Sequence, residues 1–361
     1  MGETNPTSSL GLLNGGNQSL VVGMTSAIRV PLSVLDLAPI LAGGDAADAF
    51  RRSRELARHT EALGYRRYWV AEHHNIPGVA SAATAVLIGH LAEATSRIRV
   101  GAGGIMLSNH APLVIAEQFG TLESMYPGRI DLGLGRAPGS DQVTAMALRQ
   151  ERFRQENRFE TLLAELRGYF GEPKLGQAVR AVPGAGLDVP IWLLSSSGYS
   201  AELAGQKGLP FAFAAQFAPA AMLPALRAYR ASFAPSEDLS APYAMVAINV
   251  IAAETDTAAQ RLATSAQQSF LNLIRGAPDR LPPPVDDMDG RWSPAEAAAV
   301  GSMLAESIIG GPDTVRRGLE SLLQRTGADE IMVNAMIHDH AARQHSYTLV
   351  AKAWELVAEA G

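Results

Sequence analysis

The stretch "RIRVGAGGIMLSNHAPLVIAEQFGTLESMYPGRIDLGLG", residues 97–135, holds two short apolar runs with an amphipathic segment between them. Residues 97–107 and 129–135 have strand-like length and composition. Between them, Ile115, Phe119, Leu122 and Tyr126 fall on one stripe at helical spacing. A strand, a helix and a second strand in so short a span predict two parallel strands joined by a crossover helix.

The alternation continues in both directions. Upstream, "IRVPLSVLDL" (28–37) and "RRYWVAE" (66–72) read as strands. Between them "DAADAFRRSRELARHTEALGY" (45–65) reads as a helix, with Ala49, Leu56, Thr60 and Leu63 at helical spacing and Gly64 as its C-cap. "SAATAVLIGHLAEATS" (81–96) is helical. Downstream, a helical stretch over 141–170 and an irregular Gly/Pro segment over 171–189 precede the strands "PIWLLS", "PFAFAAQ", "PYAMVAINVIAA" and "EIMVNAM". The segment "GAPDRLPPPVDDMDGRW" (276–292) is too rich in Pro and Asp to be regular. Eight strands separated by helices in 361 residues favour a (βα)8 TIM barrel with insertions, occupying residues 27–361 as a single domain. A doubly wound open sheet is the alternative, but no Gly-rich dinucleotide turn follows the first strand.

Composition narrows the function. A net charge of −6 argues against nucleic acid or a basic membrane-binding face as partner. The chain has no cysteine, which removes thiolate chemistry and fits a reducing compartment, here taken as the cytoplasm. No apolar run approaches the roughly 20 residues that span a bilayer. The start, "MGETNPTSSLGLLNGGNQSL", has an acid and Gly/Asn/Ser where a secretory signal needs basic and apolar residues. Residues 1–26 read as a flexible extension, with Met24 as a candidate ancestral start.

In a barrel of this kind function sits at the C-terminal ends of the strands. Polar residues gather there: Glu72, His73 and His74 after strand 2, Asn109 and His110 after strand 3, Arg136 after strand 4, and Ser195–Gly198 after strand 5. In "LLSSSGYSAELA" small hydroxyl residues lead into a helix, which makes an anion site. Simple N-capping by Ser197 or Ser200 is the plainer alternative. Arg136 is placed to bring the opposite charge. His73 and His74 are open to three readings: metal ligands, a structural histidine bonded to a carbonyl, or proton-handling residues. No H-x-H or E-x-x-H spacing supports a metal.

Together "WVAEHH", the 97–141 stretch ending in "GRAPGSD", "SSSGYSAELAGQKGLP" and "IIGGPDTVRRGLESLL" closely resemble the bacterial luciferase-like flavin monooxygenases, in their single-chain branch. The resemblance implies a barrel that binds FMN at its C-terminal rim and uses reduced FMN and O2 to oxidise a small organic substrate. It implies that His73 handles protons with His74 beside it. It also implies that Ser197, Gly198, Tyr199, Ser200 and Arg136 hold the FMN phosphate, and that Gly103–Gly104 forms a non-prolyl cis peptide under the flavin ring. Gly135 stands where the light-emitting members carry a reactive cysteine, so light emission does not transfer. With no NAD(P)H fingerprint in the chain, a separate flavin reductase is expected to supply reduced FMN. Two other functions compete: a deazaflavin-dependent oxidoreductase on the same fold, and a non-catalytic flavin-binding protein. Finally, helix 81–96 is apolar nearly all round. Either an insertion such as 171–189 covers it, or it packs with helix 112–126 against a second copy in a homodimer.

Overall fold

The computed structural model describes residue 1 and residues 29–136, 142–148 and 158–356. The extension expected over 1–26 lies outside the described residues except for Met1, as do residues 137–141 of the "GRAPGSD" motif.

Among the described residues, nine parallel strands form one sheet: β1 (Leu32–Asp36), β2 (Arg67–Val70), β3 (Arg99–Met106), β4 (Ile130–Gly135), β5 (Ile191–Ser195), β6 (Phe211–Ala214), β7 (Ala244–Ala252), β8 (Ile308–Gly310) and β9 (Glu330–Asn334). β1 to β7 pair in chain order, β7 pairs β9, and β9 returns to β1, so eight strands close a barrel. β8 joins only the far end of β7, through Val250–Ala252. It is an addition to the eight strands expected from the alternation. Three residues carry no periodicity of their own, so only the contact with β7 makes this segment a strand.

The helices α1 (Ala46–Ala62), α2 (Thr84–Glu93) and α3 (Pro112–Met125) follow the first three strands. Asp45 caps α1 by accepting from Asp48 N at 2.8 Å, and Gly64 ends it at φ +85°, a left-handed conformation that costs glycine little. The helix expected over 141–170 is represented by α4 (Gln142–Ala147) and α5 (Arg158–Phe170), with 149–157 outside the described residues. The remaining helices are α6 (Tyr199–Gln206), α7 (Met222–Ser232), α8 (Asp256–Ile274), α9 (Pro294–Met303), α10 (Pro312–Thr326) and α11 (His340–Ala353). α2 is shorter than expected. Ser81 is buried and its hydroxyl donates to Ala71 O at 2.5 Å, which holds the chain out of the helix until Thr84.

The segment before β5 covers part of α3. A Cβ on Gly120 would lie 2.6 Å from Pro183 O, and one on Gly184 would lie 3.1 Å from Ala116 O, so the two backbones touch. The cover is incomplete. Val86 on α2 and Val114 and Met125 on α3 remain 76%, 44% and 58% exposed.

Inside the barrel, Leu35, Trp69, Ala71, Trp192, Ala212, Met245, Ala247 and Met332 form a core of their own, separate from the larger core between barrel and helices. Trp69, Trp192 and Tyr243 stack edge to face, with centroids 5.2 and 5.6 Å apart. Two residues before Trp69, and so on the same side of its strand, Arg67 reaches across the lumen. It donates to Asp131 Oδ2 on β4 at 2.9 Å and to Glu330 Oε1 on β9 at 2.7 Å, and its guanidinium lies 4.8 Å from the Trp192 ring centre. Arg99 also bonds Asp131, while Ser33 and Tyr243 bond Glu330. The N-terminal end of the barrel is thus plugged by paired charge and aromatic rings.

Burial alone would push the Asp131 carboxyl up; Arg67 and Arg99 outweigh it and hold the carboxyl below its ordinary range. A depressed folded-state pKa means that this group's contribution to stability is complete above about pH 4 and is lost as pH falls below that. Replacing Arg67 by Ala leaves two buried carboxylates short of a partner, a loss of the order of 3–5 kcal/mol. Urea unfolding at neutral pH should show a loss of that size for Arg67→Ala. The loss should shrink progressively as pH falls below about 4, because the wild type is then itself losing the Asp131 contribution. An unchanged midpoint would refute the bracing role.

Candidate functional site

At the opposite end the barrel interior is built from small residues. Gly103 and Gly135 end the inward rows of β3 and β4, and Ala247 and Asn249 end that of β7. A Cβ on Gly103 would sit 3.1 Å from Leu35 Cδ1 and 3.2 Å from Trp69, and one on Gly104 would sit 2.6 Å from Gly133 O. Side chains at these positions would fill the mouth or force β3 and β4 apart. The Gly103–Gly104 peptide is cis, and the β3–β4 register shifts between Ala102 and Ile105. Gly104 O accepts from Glu72 N at 3.2 Å, which ties this turn of backbone to the end of β2.

Glu72 is the centre of the rim on that side. Its side chain is 1% exposed. His74 Nε2 lies 2.9 Å from one carboxylate oxygen, and His110 Nε2 lies 3.0 Å from each. Asn109 Nδ2 and Met106 N donate to it at 2.9 Å. Burial raises the pKa of Glu72, but the hydrogen bonds and charge of His110, with Asn109 and His74, outweigh burial and hold the carboxyl below its usual range. A carboxylate that is ionised and fully bonded can anchor imidazoles without carrying the chemistry itself. His73 is half-buried on the same segment. Among the described residues, no three His, Asp or Glu side chains converge as a metal-binding set.

Across the mouth, β5 runs into α6. Ser195 Oγ accepts from Ser197 N at 2.9 Å and donates to Ser197 O at 2.8 Å, which makes a tight hydroxyl-stapled turn. Gly198 is the N-cap of α6, and no side chain caps the helix. The N-capping role weighed for Ser197 and Ser200 is therefore not what these serines do. Ser196, Ser197 and Gly198 are exposed, so the approach to the helix start is open, with the positive end of the helix dipole behind it. Ser200 is buried in that turn. The Arg136 guanidinium, from the end of β4, lies 4.4 Å from the Tyr199 ring centre, and Tyr199 OH lies 3.1 Å from Glu160. Stacking fixes the arginine beside the helix start. The arrangement can take a phosphate.

The residues expected from the sequence thus fall into two groups on one rim: His73, His74, Gly103 and Gly104 on the β2–β3 side, and Arg136 with Ser197–Ser200 on the β4–β5 side. Sequence reasoning did not give Glu72 its central place, nor pair it with Asn109 and His110. Two signals pointed that way. Glu72 and His74 are spaced i, i+2, which puts both on one side of an extended chain, and "SNH" ends the neighbouring strand.

Comparison with known proteins agrees with this architecture. The luciferase-like monooxygenase family profile matches residues 30–330. The chain is 59% identical to an uncharacterised Bacillus subtilis protein, YvbT, over 90% of its length and 96% of the relative's. It is 55% identical to a luciferase-like monooxygenase of Escherichia coli K12, over 89% and 96%. Among solved structures, apo-MsnO8 superposes with a TM-score of 0.81 at 37% identity, over 91% of this chain and 98% of that one. More distant structures share the fold alone. They include the oxygenating part of 3,6-diketocamphane monooxygenase in complex with FMN, at TM-score 0.67 and 18% identity, and an F420-dependent secondary alcohol dehydrogenase, at 0.62 and 14%.

Proposed function

The chain belongs to the luciferase-like monooxygenase family, and from that premise we propose that it uses reduced FMN and O2 to oxidise a small organic substrate. The observation that carries the choice of cofactor is the uncapped start of α6 beside Arg136. One hydroxyl-stapled turn and one arginine suit a single phosphate monoester. The long acidic tail of a deazaflavin would need more cationic contacts.

Ser196, Ser197, the first-turn amides of α6 and Arg136 would hold the phosphate. The Gly103–Gly104 segment packs directly on Trp69 and β4 with no side chain of its own, and would present bare backbone to a flat ring. Bound reduced FMN would supply the two electrons that take one oxygen atom of O2 to water as the other enters the substrate. The protein's part is to exclude water, orient the ring and move protons. His73 and His74, at the end of β2, would give or take those protons. The same reading places the enzyme in the cytoplasm with a separate reductase. The direct test supplies reduced FMN to the purified chain in air and follows oxygen uptake and hydrogen peroxide. Uptake dependent on the protein is expected. Bound flavin with no protein-dependent uptake would remove the oxygenase reading, and tighter binding of F420 than of FMN would replace the cofactor.

We also propose a homodimer through α2 and α3, where Val86, Val114 and Met125 are exposed beside the partly covered face. Val86→Glu should shift light scattering at micromolar concentration toward the monomer mass. A wild type that is monomeric at every concentration refutes this.

Two substitutions separate the roles at the site. Arg136→Ala should weaken FMN about ten-fold or more and riboflavin, which lacks the phosphate, much less, since a charge-assisted hydrogen bond contributes roughly 1.5–3 kcal/mol. Equal weakening of both, read by equilibrium fluorescence titration, would move Arg136 away from the phosphate. His73→Ala should lower product formation by about 10²-fold while leaving FMN affinity nearly intact; normal turnover would return His73 to a structural role.

A further inference from the structure

The Glu72 carboxylate collects more hydrogen bonds than a structural tie needs. Four residues donate to it: His74 from its own segment, and Met106 (through its main chain), Asn109 and His110 from the end of β3. The side chain is 1% exposed, whereas those of His74 and His110 are 20% and 29% exposed. An ionised carboxylate only accepts, so each imidazole facing it must carry its proton on Nε2. In the neutral ring that leaves Nδ1 as the basic nitrogen.

We propose that Glu72 is a positioning residue that locks His74 and His110 as a matched pair, Nε2–H toward the carboxylate and Nδ1 available at the rim, and so adds His110 to the groups that exchange protons at this site. This assignment takes its chemical purpose from the monooxygenase reading above, and its primary test uses no flavin.

That test is the ring-nitrogen NMR spectrum of the full chain labelled with 15N-histidine, with the His74 and His110 signals assigned through His74→Gln and His110→Gln. In the wild type above neutral pH, both rings should show the Nε2–H tautomer in about ten-fold or greater excess, the bias that a charge-assisted hydrogen bond confers. In Glu72→Gln the excess should fall toward parity for at least one ring, because one amide oxygen cannot replace two carboxylate oxygens. An unchanged excess at both rings in a folded Glu72→Gln protein would overturn the proposal. So would an Nδ1–H tautomer at either ring of the wild type, a result that decides the matter even if Glu72→Gln does not fold. A second arm measures turnover with reduced FMN. His110→Gln should lower kcat at least about ten-fold and leave KM within about two-fold, and unchanged kcat would remove His110 from the pair. A wild type with no flavin-dependent turnover but locked tautomers would count against the monooxygenase reading alone.

Discussion

The Arg67 guanidinium, held across the barrel between Asp131 and Glu330, is the interaction on which the rest of the structure depends. It joins β2 to β4 and β9, strands that are not its neighbours in the sheet. With Arg99, Ser33 and Tyr243 completing the hydrogen bonds and Trp69 and Trp192 packed above, it fills the N-terminal end of the lumen. A buried pair of this kind is weak support for stability taken alone, because desolvation offsets much of the attraction. Its value here is geometric. One end of the barrel is closed by side chains that cannot move independently, so the other end can be made of glycine, alanine and asparagine without collapse.

That asymmetry leaves the C-terminal rim as the candidate site. Glycines at 103, 104 and 135 let the strand ends pack where a side chain would collide, Glu72 pins the β2 and β3 ends together, and the start of α6 lies uncapped beside Arg136. The hard and soft elements divide the work: packed aromatics and ion pairs set the frame, and loops at the strand ends carry the groups that meet a ligand. The chain belongs to the luciferase-like monooxygenase family, and structures of the same fold carry FMN in one case and use F420 in another.

Much of this was readable before any coordinates, and for identifiable reasons. The barrel strands announced themselves because each is an apolar run bounded by Gly, Pro or a charged turn and separated by segments with helical spacing. Gly64 as a helix stop and the polar rim after β2 to β5 followed from the same logic. What stayed hidden depended on distance along the chain. The Arg67–Asp131–Glu330 network links three strands whose charged residues each look like ordinary strand-end charges. Glu72 drew notice only for its adjacent histidines, because its partners Asn109 and His110 lie just past the end of another strand. β8 is a strand only by virtue of β7, and the late start of α2 is set by the Ser81 hydroxyl bonding Ala71 O, which no local propensity encodes.

The account stands or falls on what the rim holds. A crystal structure of the chain soaked with FMN is the most direct measurement. The account predicts the phosphate at the start of α6, within hydrogen-bond reach of the Ser195–Ser197 turn and Arg136, and the ring against Gly103 and Gly104 with one edge toward His73 and His74. Flavin bound elsewhere on the barrel, or a phosphate that ignores α6 and Arg136, would contradict it.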